Sequence, residues 1–69
     1  MTINEKRRDL IIFTMYKRKM TKEKLASLLN VSYPTMLTKI NNPASLKLKE
    51  CDMLCKALKI NLNEFLTLK

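Results

Sequence analysis

The twenty residues Thr21–Ile40, TKEKLASLLNVSYPTMLTKI, leave this chain little freedom in how it can fold. Leu25, Ala26, Leu28 and Leu29 make an apolar stripe at the i, i+3, i+4 spacing of a helix. Thr21 precedes the stripe as an N-cap, its hydroxyl placed to accept from a backbone N–H that has no helical partner. Asn30 stands at the other end, where the chain must turn left-handed and Asn is second choice after Gly. Val31 supplies an apolar plug and Ser32 a second N-cap. Pro34 suits the first turn of the next helix, where its missing N–H is not needed. Met36 and Ile40 repeat at i, i+4 and face the first helix, while Tyr33, Thr35, Thr38 and Lys39 point outward. Two helices, a short link and a small Ala at their crossing describe a helix-turn-helix.

The rest of the chain has to support that motif with little material. Sixty-nine residues make one domain, 1–69. A chain of this size buries only about 60% of its unfolded surface. It has no Gly, and its prolines are Pro34 and Pro43, which suits helices with short connections. Net charge is +8, from 14 basic and 6 acidic residues. So dense a positive charge favours a polyanionic partner, nucleic acid ahead of a membrane surface; the plainer alternative is a basic surface that only keeps the chain soluble. The longest apolar run, Leu10 to Phe13, falls far short of the ~20 residues of a membrane span.

In order, Thr2 to about Lys19 reads as the first helix. Thr2 and Glu5 form a capping box, with Asn4 a competing cap. Lys6, Arg7 and Arg8 cluster at one end and Lys17, Arg18 and Lys19 at the other, where positive charge suits the helix dipole. Between them Leu10, Ile11, Ile12, Phe13, Met15 and Tyr16 cover most of the circumference. At about 100° per residue no single core-facing stripe can hide them all. Some of Ile12, Phe13, Met15 and Tyr16 are therefore expected to stay exposed or meet a partner, unless the fold wraps this helix on both sides. Met20 is expected to tuck under the next helix. Asn41, Asn42 and Pro43 end the helix that begins near Tyr33, because Pro43 biases Asn42 away from helical geometry. Ala44 to Lys47 read as a loop. Leu48, Cys51, Leu54, Cys55 and Leu58 form the stripe of a fourth helix, and Asn61 and Glu64 cap a short fifth through Phe65 and Leu66. Thr67 to Lys69 either fray or pair as an extended arm.

Catalytic chemistry is short of parts. There is no His, and Ser27, Ser32 and Ser45 have no activating partner. Without Gly there is no phosphate-cradling loop, and Glu50 and Asp52 diverge on their helix. Cys51 and Cys55 read as small buried apolar residues. Two Cys and no His cannot complete a zinc site, and a lone pair with no secretory segment does not suggest a disulfide framework. We expect no enzyme, no cofactor, no metal and no small-molecule substrate, and a reducing cytoplasm as the setting.

The string LA-x-LLNVS-x-PTM-xx-KI-NNP resembles the Cro/CI-type helix-turn-helix of phage repressors, above all small variants with Pro near the start of the recognition helix and Asn-Asn-Pro after it. Leu25, Ala26, Leu29, Val31, Ser32, Thr35, Met36 and Ile40 carry the resemblance, and ALKINLNEFL is similar to the family's closing segment. Asn30 replaces the usual Gly, Lys22 stands where many members have Gln, and Leu37 occupies an edge often polar in DNA-binding members. The chain also resembles small modulator-of-repression antirepressors of temperate lactococcal phages. The resemblance implies an all-α, five-helix repressor-like domain in the cytoplasm of a bacterial host, acting in a lysis–lysogeny switch.

Two functions follow. As an operator reader, the chain would place the N-terminal part of the second motif helix in the major groove of double-stranded DNA. Tyr33, Pro34, Thr35 and Thr38 would face the bases, and Thr21, Lys22, Ser32, Lys39, Asn41 and Asn42 the phosphates. As an antirepressor, it would hold a CI-type phage repressor through Tyr33, Pro34, Met36 and Leu37, aided by the surplus apolar residues of the first helix. The same surface could serve a two-fold homodimer. A membrane-binding first helix is the weakest reading, because its basic clusters are broken.

Overall fold

A computed structural model describes residues 2–68. Five α-helices follow one another: α1 (Ile3–Lys17), α2 (Lys22–Leu29), α3 (Tyr33–Asn41), α4 (Leu48–Leu58) and α5 (Leu62–Leu66), with a single 3-10 turn at Pro43–Ser45 between α3 and α4. There is no strand among the described residues, so the fold is all-α as expected. The capping box at the start of α1 forms: Glu5 N–H donates to Thr2 Oγ1 at 3.1 Å and Thr2 N–H to Glu5 Oε1 at 3.1 Å. Asn4 is thereby free of capping and serves elsewhere.

Three helices end by the same device. Lys19, Asn30 and Lys59 adopt left-handed φ values of 56°, 57° and 57°. The residue after each donates to the carbonyl five residues back: Met20 N–H to Met15 O, Val31 N–H to Ala26 O, and Ile60 N–H to Cys55 O. These are Schellman closures, which satisfy carbonyls that the helix leaves orphaned. In each, the apolar residue after the left-handed one, Met20, Val31 or Ile60, packs on the core. This closure stops α1 at Lys17, two residues before the expected Lys19.

The core is built from Ile11 and Met15 of α1, Leu25, Ala26 and Leu29 of α2, Met36 and Ile40 of α3, Cys51, Leu54, Cys55 and Leu58 of α4, and Phe65 of α5. Two expected stripe members lie outside it. Leu28 is exposed, since Leu25, Ala26 and Leu29 set the buried arc of α2 and Leu28 falls about 110° from its centre. Leu48 has the right angle but is the first residue of α4, with its Cβ tilted past the end of the helix, and is exposed. On α1, Met15 is buried while Ile12, Phe13 and Tyr16 are exposed, so the surplus falls on those three.

Asn61 caps α5 as expected, its Oδ1 accepting from Glu64 N–H at 3.1 Å. Thr67 folds back, its hydroxyl donating to Asn63 O at 2.8 Å, rather than leaving as an arm; Lys69 lies outside the described residues. Arg7, expected only as part of a basic cluster, fastens α1 to the end of α5. Its Nε and Nη2 donate to Phe65 O at 3.2 Å and Leu66 O at 2.9 Å, with the guanidinium carbon 5.5 Å from the Phe65 ring centroid.

Candidate nucleic-acid interface

Both helices of the motif are capped by a hydroxyl. Lys24 N–H donates to Thr21 Oγ1 at 3.1 Å, and Thr35 N–H to Ser32 Oγ at 3.3 Å. Thr21, Lys22 and Ser32 are exposed, so both helix starts face outward with their positive dipole ends. Met36 and Ile40 are buried and lock α3 against α2. Pro34, Thr35 and Thr38 consequently lie exposed on the side of α3 away from the core, Tyr33 is exposed as the first residue of the helix, and Leu37 is half-buried at the margin. Met36, expected as a contact for a protein partner, has no exposed surface, because its i, i+4 pairing with Ile40 commits it to the core. It cannot touch a partner.

The hydroxyls on this face are already ordered. Ser32 Oγ donates to Thr35 Oγ1 at 2.8 Å, which leaves the Thr35 proton to point outward. Thr38 Oγ1 donates to Pro34 O at 3.2 Å, which leaves its lone pairs and methyl for a neighbour.

Two links fix the helix at its far end. Lys39 Nζ lies 2.9 Å from Glu50 Oε1 on α4, with the two side chains 14% and 16% exposed. The same carboxylate oxygen accepts Lys47 N–H at 2.9 Å. That backbone donor, then the Lys39 ammonium, hold the Glu50 carboxyl below its ordinary range. Lys39 is thus already paired within the chain, unlike the exposed Lys22. After α3, Asn41 is exposed, and Asn42 Oδ1 accepts from Asn4 Nδ2 at 2.7 Å. Asn4 Oδ1 accepts Ala44 N–H at 2.8 Å, so one amide on α1 clamps both sides of Pro43. Neither Asn4 nor Glu50 was apparent as a support for this face. The Glu50 spacing to Lys47 is that of a capping box, but Lys is not a capping residue and so hides the signal.

A shallow groove beside the motif turn is lined by Asn30, Val31, Lys47, Lys49, Glu50 and Met53. It places Lys47 and Lys49 beside the motif turn. These two went unread because they precede and open α4, outside the motif. Among the described residues no cluster of His, Cys, Asp or Glu could hold a metal ion, and no helix is long and apolar enough to cross a membrane.

No curated protein matches this chain, and no solved structure matches it. The family model of the Cro/C1-type HTH DNA-binding domain matches residues 14–69, which takes in the motif, α4 and α5. The chain belongs to the Cro/C1-type helix-turn-helix DNA-binding family.

Proposed function

We propose that this protein is a transcriptional regulator of a phage lysis–lysogeny switch that binds operator DNA through the start of α3. The reading rests on one observation: Tyr33, Pro34, Thr35 and Thr38 are exposed on a helix held rigidly from behind by Met36 and Ile40. In this geometry the helix enters the major groove with its N-terminal residues at the base edges. Thr35 would donate to a base acceptor, and the Thr38 methyl would meet a thymine methyl. Thr21, Lys22, Ser32, Asn41 and Asn42 would contact phosphates from the two sides of the groove, helped by both helix N-termini. Lys39 would add to the field from behind its Glu50 partner. The phage setting is supported by the likeness of the motif string to small phage regulators.

A second reading, an antirepressor that binds a CI-type repressor, draws on Leu37 and Tyr33 beside a face that has no Arg or Gln for bidentate base contacts. One titration separates the two. Purified protein is added to the regulatory DNA and to a scrambled duplex at ~150 mM salt, where non-specific charge contacts are weakened, with and without the cognate repressor. Operator binding at least tenfold tighter than scrambled binding, by this protein alone, is expected. Equal binding to both duplexes overturns the operator reading, and a changed repressor–DNA complex in the mixture then establishes the second.

A further inference from the structure

Ile12, Phe13 and Tyr16 are 43%, 63% and 86% exposed on the outer side of α1. At about 100° per residue, these three and Asp9 share one arc of the helix, opposite the Ile11, Thr14 and Met15 side that enters the core. The segment that matches the family begins at residue 14, so Asp9, Ile12 and Phe13 lie outside it. Cations border the arc at both ends: Arg8 a turn before Ile12, and Lys17 a turn after Phe13, followed at once by Arg18 and Lys19. We propose that this face docks an acidic amphipathic helix of a different protein. The apolar side of that helix covers Phe13 and Tyr16, and its carboxylates gather at one end to meet residues 17–19.

The argument is charge complementarity. Near the start of α1 the charges are taken up within the chain. Arg8 lies 3.3 Å from Asp9, Arg7 donates to Phe65 O and Leu66 O, Glu5 closes the capping box, and Lys6 has a partner of its own. Past the apolar trio the balance changes. Lys17, Arg18 and Lys19 are exposed, and their side chains make no hydrogen bond or ion pair among the described residues. An apolar patch that runs into three unpaired cations fits a partner that carries apolar groups and carboxylates together. Other occupants leave part of the face unmatched. A phosphate chain or an anionic bilayer lying along the arc would press against the Asp9 carboxylate, and a chain of phosphates has nothing to cover Ile12. A second copy would set basic ends against basic ends in either direction, because Arg8 and Lys17 stand at the two ends. Three side chains on one helix make a small interface, so the association is reversible, with a dissociation constant on the order of 100 µM.

The surface is independent of the operator reading, and the test needs no operator. The probe is a synthetic helical peptide of about 16 residues, with Leu at i, i+3, i+4 and i+7 and a run of Glu at one end. Titrated into the ¹⁵N-labelled full chain, it is expected to move the amide resonances between Asp9 and Lys19, with half-saturation on the order of 100 µM. Phe13→Ser and Lys17→Glu, both at exposed positions, should each weaken binding about fivefold or more. Asp9→Asn should tighten it about twofold, since it removes the carboxylate that faces the acidic partner. No shift at about 1 mM peptide overturns the proposal, as do shifts confined to α3 or affinity that Phe13→Ser leaves unchanged. So does equal or tighter binding of poly-glutamate, a single-stranded oligonucleotide or phosphatidylglycerol vesicles, which carry the charge without the apolar helix face. A chain that dimerises through Phe13 without peptide gives the face to a second copy and overturns it too.

Discussion

Replacing Glu50 by Gln tests whether α3 is held in reading position by its link to α4. The amide keeps the shape of the side chain and an oxygen for Lys47 N–H, so the substitution removes charge and little else. Hydrogen bonds to charged groups contribute about 1.5–3 kcal/mol and neutral ones about 0.5–1.5. Losing the charge on the 2.9 Å contact to Lys39 therefore removes about 1 kcal/mol. The lost negative charge in the first turn of α4 removes a few tenths more. A total of about 1.5 kcal/mol lowers the midpoint of thermal unfolding by roughly 6–12 °C in a domain of this size. The effect carries a pH signature. Glu50 is held below its ordinary carboxyl range in the fold, chiefly by Lys47 N–H. A depressed folded value means that the stabilisation is complete above the unfolded value of about 4.3, and is lost as pH falls through the folded value. Gln does not titrate. Circular dichroism melts should therefore show a gap between the two proteins that is constant from pH 7 to about 5 and closes in acid. Because both partners are mostly buried, the gap should survive 0.5 M salt, unlike that of an exposed pair. Equal stability at pH 7, or a gap that persists unchanged in strong acid, would refute the assignment.

Lys22→Ala should flatten the salt dependence of DNA binding by about one unit of slope, whereas Lys39→Ala should change it less because Glu50 already neutralises that ammonium; fluorescence anisotropy across a salt series measures both. Lys59→Gly should raise stability by about 0.5–1 kcal/mol, since φ is 57° there and Gly takes that geometry without steric cost; urea denaturation would show the midpoint move up, and a fall would contradict the left-handed closure. Burial raises the Cys55 thiol to about 11 and lifts Cys51 as well. Both should therefore resist alkylation at pH 8 until the chain is unfolded, and rapid labelling of the native protein would mean that α4 is not packed as described.

The elements that announce themselves in sequence are those whose side chains do the local work. Thr2, Thr21, Ser32 and Asn61 each carry an oxygen that caps the following helix, and Asn30 is the one left-handed position occupied by a residue with a known tolerance for it. Lys19 and Lys59 take the same backbone geometry with no such signal. What drives them is the apolar residue that follows, which must reach the core, and that demand comes from tertiary packing. Leu28 and Leu48 fail for the converse reason. Helical periodicity gives an angle around the axis, but burial also needs a neighbouring element at that height. The site divides along the same line: exposure of Thr35 and Thr38 follows from the Met36–Ile40 pairing, while the pairing of Lys39 with Glu50 spans two helices that sequence alone does not bring together.

That division bears on how the α3 face can read a base sequence. The face has two threonines, a tyrosine and a proline, and the cation on the helix turns back to Glu50. Each bidentate Arg or Asn contact to a base discriminates by about 1–3 kcal/mol, and single hydroxyl or methyl contacts fall below that. Selectivity must then come from holding weak contacts in a fixed geometry, which is what the supports behind α3 provide. Ser32 orders Thr35, Pro34 O orders Thr38, Glu50 anchors the last turn, and Asn4 clamps the exit on both sides of Pro43. Asn4→Ala tests this directly. It leaves every proposed base contact in place but frees Ala44 N–H and Asn42 from α1. If rigidity sets selectivity, the ratio of operator to scrambled affinity should fall several-fold while scrambled-duplex binding stays constant, since the charge is unchanged. A ratio equal to that of the unsubstituted protein would mean that the threonine contacts alone carry the discrimination.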